Sequence, residues 1–159
     1  MKKNQEVMIN IDPKQCDRIA HGKQTAIALY TRPVINPPFK CYIYQKDTGD
    51  YVSEFGITNE DRNGMVIGEC ICDSVHYLGN VAFDNWRYLA GDKHEYHKSL
   101  VTKRACMTEE EIRSSSSRYV MCISKFVLYG APKSACDFYN YRSGLPLKKE
   151  PIVWCYVNK

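Results

Sequence analysis

Eight cysteines and four histidines are the residues of this 159-residue chain best suited to nucleophilic or metal chemistry, and their spacing decides what they can do. Cys70 and Cys72 stand two apart in GECICD. Zinc favours thiolates, but strand alternation puts both sulfurs on one face without the wider spacing of a zinc knuckle, so the pair reads as core. His94 and His97, in HEYH, would fall at i and i+3 of a helix, a spacing that can hold a divalent ion. The HExxH pattern of zinc peptidases is absent, and the two read as surface histidines. No thiol is marked by its neighbours as the partner of an imidazole. A Gly-rich phosphate loop, a GxSxG elbow and a spaced pair of carboxylates in an apolar setting are all missing, so neither a metal nor a cofactor is expected.

Aromatic and basic residues offer a different chemistry. Twelve tyrosines and two tryptophans are interleaved with 22 Lys and Arg, and the formal net charge is +4. Aromatic faces beside cations are what single-stranded nucleic acid uses for stacking and phosphate contact. A sheet core and a protein-binding surface use the same side chains, so the composition permits an anionic partner without demanding one.

The elements that must position these groups can be read along the chain. Asp12-Pro13 followed by KQCDRIAHG predicts a short helix, with Asp12 as N-cap, Pro13 in the first turn and Gly22 as its left-handed end. AIALY (26–30) is a strand closed by Thr31-Arg32-Pro33. KCYIYQ alternates Cys41 and Ile43 against Tyr42 and Tyr44 as a half-buried strand, and 46–64 is an extended loop. MVIGECICDSV (65–75) is apolar on both faces and predicts a central strand with a bend or bulge at Gly68. A short helix is expected between Asn80 and Val101, and a long loop over 91–105. Thr108 and Glu111 form a capping box for a helix ending within SSSS (114–117). Strands over 118–130 and 151–158, with a short helix from Ser134 between them, complete an α+β chain with a curved or closed sheet of five to six strands.

The length is that of one ordinary domain, 1–159. The N-terminus lacks the apolar core of a secretory signal, and no run approaches the ~18 apolar residues of a membrane span. A cytoplasmic location and free, mostly buried thiols are therefore expected.

HGKQTAIALYTRP (21–33) with PPFKCYIYQ after it resembles the opening of the ASCH domains, PUA-like barrels, in a phage-type branch of that family. GMVIGECICDSV, RACMTEEEI, ISKFVLYGAPK and LKKEPIVWCYV are similar to later family segments and fall in family order from about Ile11 to Val157. The resemblance implies a small PUA-like β-barrel flanked by short helices. Departures from the family pattern carry equal weight. Where family members place a Lys, a Glu and an Arg at the barrel mouth, this chain has Gln24, Ile27 and Leu29, and Met121-Cys122 stand where many relatives have Trp-His. Some small ASCH proteins are amidohydrolases of acetylated cytidine that use a Lys, a Thr and a Glu; these map to Gln24, Ile27 and, less directly, Ala105. Glutamine is no general base and isoleucine has no hydroxyl, so no such activity is expected.

The reading that follows is a non-enzymatic ASCH-like protein of phage or mobile-element origin that binds RNA or an RNA-protein complex. Lys23, Thr25 and Arg32 are its candidate binding residues at the opening junction, and Arg104, Arg113 and Arg118 are a second phosphate-contacting set. Two rivals stand beside it. One is an anti-CRISPR type inhibitor that contacts a host defence effector protein. The other is a nucleoside amidohydrolase with relocated catalytic groups, which needs a nucleophile next to a base.

Overall fold

The computed structural model describes residues 5–49, 54–78, 87–91 and 98–158. Its centre is a mixed sheet, curled and covered on both faces. Strand β1 (Glu6–Ile11) leads into helix α1 (Pro13–His21), and β2 (Ala26–Leu29) follows a tight turn. Next come β3 (Phe39–Gln45), β4 (Met65–Tyr77) and β5 (Arg87–Gly91), then helices α2 (Lys98–Ala105) and α3 (Glu109–Ser114). Strand β6 (Tyr119–Lys133), a 3-10 turn at Ala135–Asp137, β7 (Tyr139–Asn140) and β8 (Trp154–Asn158) end the chain. The hydrogen-bonded order is β2-β6-β4-β3-β1-β8-β7, with β5 joined to β4.

Strand β4 organises this arrangement. One edge pairs with β6 along its length, while the other pairs with β3 as far as Cys72 and with β5 from Ser74 onward. Register shifts at Gly68 and between Cys72 and Ser74 bend the strand. Only glycine fits at 68, because a Cβ there would lie 2.3 Å from the Val127 carbonyl oxygen.

Among the described residues three apolar clusters account for the burial. Helix α1 brings Cys16 and Ile19 onto Val7, Ile9, Ile27, Leu29, Cys41, Cys70, Cys72 and Met121 inside the curl. Helices α2 and α3 bring Ala105 and Ile112 onto Ala26, Val120 and Cys122. Phe138 and Leu147 cover Met8, Tyr42 and Tyr44 on the remaining face.

The helix ends are those expected. Asp12 caps α1, Gly22 closes it at φ 90°, and the Thr108–Glu111 capping box opens α3. Three expectations are corrected. The sheet has eight strands among the described residues rather than five or six; of the two expected forms, curved or closed, it is the curved one, since β2 and β7 at the ends of its path are not paired among the described residues. Residues 87–91 form a strand within the stretch where a helix was expected, and 98–105 are helical rather than loop. Strand β3 is buried on both faces, since Phe138 packs on Tyr42 with ring centroids 4.7 Å apart. Glu6–Ile11, a stretch for which the sequence offered no element, is an inner strand between β3 and β8. No helix among the described residues is long and apolar enough to cross a membrane.

Candidate nucleic-acid interface

The turn between α1 and β2 is held by its backbone. The amides of Lys23 and Gln24 both donate to the Arg18 carbonyl, so the chain reverses directly over the helix end. Gln24 points inward and is buried, donating from Nε2 to Gln15 Oε1 (2.9 Å) and to the Ala26 carbonyl (3.0 Å). Ile27, Leu29 and Met121 lie inside the main cluster, between 0% and 6% exposed. Ala105 is packed against Ala26 and Cys122.

Lys23 is exposed but engaged. Its Nζ lies 2.7 Å from Glu54 Oε1 and 5.3 Å from the Phe55 ring centroid, while Arg18 takes the other Glu54 oxygen at 2.8 Å. Lys23 and then Arg18 hold the Glu54 carboxyl down at about 2. The loop that carries Glu54 is fastened from beneath. Asp17, fully buried, accepts from the amides of Glu54 (3.0 Å), Phe55 (2.6 Å), Ile57 (2.8 Å) and Thr58 (3.1 Å).

Thr25 and Arg104, assigned above to separate sets, meet. Arg104 donates from Nε to Thr25 Oγ1 (2.9 Å) and from its guanidinium to the Thr25 carbonyl (3.1 Å), while the Thr25 amide donates to the Arg104 carbonyl. This contact ties the end of α2 to the start of β2.

Arg32 and Arg118 each lie against a tyrosine carried by the other segment. The β2–β6 ladder pairs Leu29 with Tyr119, and the Arg118 amide donates to the Leu29 carbonyl, so Tyr30 continues opposite Arg118. The Arg118 guanidinium sits 5.1 Å from the Tyr30 centroid and that of Arg32 5.9 Å from the Tyr119 centroid. Tyr77 of β4 tilts against Tyr119 at 5.5 Å. Among the described residues neither guanidinium enters an ion pair, and Tyr30 is 55% exposed. A guanidinium laid on a ring is held planar and outward, with N–H edges directed at solvent. The result is two Arg-Tyr pairs where β2 ends and β6 begins, one exposed (Tyr30 with Arg118) and one half-buried (Arg32 with Tyr119). Sequence reasoning missed both tyrosines, although the adjacency of Tyr30 to Thr31-Arg32 and of Tyr119 to Arg118 was a usable signal. The Arg113 side chain and residues His94 and His97 lie outside those described.

Cys41, Cys70 and Cys72 are buried together, and burial pushes the Cys41 and Cys72 thiols well above their usual range, the protonated form a core pair needs. A contact missed in the sequence lies on the same strand: Ser74 Oγ is 3.1 Å from His76 Nε2. A serine beside an imidazole is the geometry of an activated nucleophile, but both residues have zero exposure. Burial first, and Arg104 nearby second, lower the His76 pKa to about 4, leaving the imidazole neutral.

No protein-family model and no curated protein matches the chain. Among solved structures, a protein described as ASCH from Zymomonas mobilis superposes with a TM-score of 0.60 over 97% of this chain and 88% of its own, at 13% identity. At that identity the likeness establishes the ASCH fold, which the five sequence segments had pointed to.

Proposed function

We propose that this ASCH-fold chain binds single-stranded RNA, alone or within an RNA-protein complex, through the face built from Tyr30, Arg32, Arg118 and Tyr119, and that it is not an amidohydrolase. The observation that carries the reading is the pairing of each arginine with a tyrosine ring where β2 ends and β6 begins, with Tyr30 and Arg118 exposed and Arg32 and Tyr119 half-buried. Rings offer a stacking platform to any base, and guanidinium edges offer bidentate contacts to phosphate. Lys23 contributes less than the sequence promised, since Glu54 already neutralises it. Thr25 and Arg104 act from below as positioning residues, fixing the strand that presents Tyr30 and Arg32. Two facts support the absence of amidase chemistry. The position of the family's lysine holds a buried amide already bonded to Gln15 and Ala26, and the position of its threonine holds a core isoleucine. The Ser74–His76 pair supplies no substitute, because a group with no exposed surface meets no substrate.

The test is a titration of fluorescently labelled single-stranded RNA into wild-type protein and Tyr30→Ala. Loss of one stacking ring is expected to weaken binding by about tenfold. Equal affinity of the two proteins would remove Tyr30 from the interface, and no binding by either would refute the reading. Incubation with N-acetylated cytidine is expected to release no acetate. Turnover by a Ser74→Ala-sensitive activity would restore the enzymatic rival.

A further inference from the structure

Thr31 lies between the two arginine-tyrosine pairs in sequence, and its side chain faces a second feature. The Trp154 indole Nε1 donates to Thr31 Oγ1 at 3.2 Å, and Trp154 packs edge-on against Tyr156, whose hydroxyl accepts from the Val34 amide at 2.7 Å. These contacts fasten the segment after β2 to β8. On the far side of Thr31 an open groove of about 500 Å³ runs along the chain before β8, lined by Thr31, Lys148, Lys149, Glu150, Ile152 and Trp154. Both lysines are exposed, and among the described residues neither enters an ion pair. Glu150 is the one carboxylate in the lining, and its charge reaches the Tyr44 phenol, where after burial it is the largest contribution raising the pKa. The groove therefore offers two cations, a threonine hydroxyl and an indole beside the face described above.

We infer that this groove is a second subsite for the same strand of nucleic acid, with Lys148 and Lys149 contacting phosphates and Trp154 flanking a base. The inference rests on the proposed RNA-binding face, and continuity through Thr31 is what joins the two. A strand lying across Tyr30 and Arg32 passes Thr31 and enters the groove, so the full site spans more nucleotides than the arginine-tyrosine pairs alone. Charge favours this occupant. Two exposed lysines against one carboxylate attract a polyanion, and a positively charged groove floored by aromatics is how single strands are held without sequence preference. Ile152, 91% exposed at the rim, is apolar surface that a ribose or base edge can cover.

Length dependence tests the inference. Oligouridylates of about 4 and about 12 nucleotides are titrated into wild-type protein, Lys148→Ala/Lys149→Ala and Arg32→Ala/Arg118→Ala. Wild type is expected to bind the longer strand more tightly. The lysine variant should lose about tenfold on the longer strand and keep wild-type affinity for the shorter one, while the arginine variant loses both. The lysines are at the surface and make no ion pair among the described residues, so the variant retains the fold. Wild-type affinity of the lysine variant for the longer strand, alongside intact binding of both strands by wild type, overturns the groove and leaves the arginine-tyrosine face standing. Failure of wild type to bind either strand overturns both.

Discussion

Replacing Asp17 by Asn removes one charge and one acceptor from beneath the loop at 54–58, and the outcome can be worked from the bonds. The carboxylate accepts four amide hydrogens at 2.6 to 3.1 Å, two on each oxygen. An asparagine oxygen can keep two of them. Its amino group then faces two N–H donors, which are left without an acceptor. Hydrogen bonds to a charged group contribute about 1.5–3 kcal/mol each, so the gross loss is about 3–6 kcal/mol. Glu54, Gly56 and Ile57 are at the surface, and the loop can turn its amides to water, which recovers part of that. A net loss of about 2–3 kcal/mol follows, or about 5–10 °C in Tm for a chain of this size. Urea unfolding measures the loss, and amide hydrogen exchange locates it: Phe55 or Thr58, whichever faces the new amino group, should lose protection while β4 keeps its own. A change below about 0.5 kcal/mol with Phe55 and Thr58 still protected would refute the assignment of Asp17 as the clasp of this loop.

His76 and Gly68 provide independent checks on the core. The folded pKa of His76 is about 4 against an ordinary 6.5, so the unfolded chain binds the proton first as pH falls. Stability from this residue is complete above about 6.5 and is lost on the way down to about 4. Between about pH 7.5 and 5 that loss is about 2 kcal/mol, to be read as the part of the pH dependence that disappears in His76→Gln; an identical pH dependence in the variant would contradict it. Gly68→Ala should lower stability by about 2 kcal/mol or more in urea unfolding, because the new methyl meets the Val127 carbonyl and the Phe126 ring. A neutral result would mean that β4 and β6 are not held at this register.

Local chemistry was legible in the sequence wherever a signal is confined to a few adjacent residues. Asp12-Pro13 and Gly22 announce both ends of α1, Thr108 and Glu111 announce the start of α3, and the apolar run from Met65 announces the central strand. What escaped depends on distant partners. Strand β1 is short, and it becomes an inner strand only because β3 and β8 flank it. Tyr42 and Tyr44 read as an exposed face, since nothing near them reveals that Phe138 and Leu147 will cover it. Ser74 and His76 share a face by simple alternation, but the apolar run that predicts the strand ends at Val75, before His76, whereas β4 runs on to Tyr77.

For the candidate site, individual residues were legible and their grouping was not. Arg32 and Arg118 could be named from the sequence, but only the β2–β6 ladder shows that each has a tyrosine beneath it and that the two pairs are neighbours. Lys23 looked equally promising, and its neutralisation by Glu54 depends on a buried aspartate in another element. The inward placement of Gln24 and Ile27 was legible only in part: alternation in AIALY puts Ile27 on the core face, while the burial of Gln24 depends on Gln15 of α1.

The measurement closest to the central claim is the salt dependence of RNA binding by wild-type protein and by Arg32→Ala/Arg118→Ala. Each phosphate neutralised on a single strand contributes about −0.7 to the slope of log K against log salt, so losing both arginines should flatten the slope by about 1.4 and weaken binding. A wild-type affinity that does not respond to salt, or a double variant with the wild-type slope, would contradict the account of the arginine-tyrosine face as the RNA-binding surface.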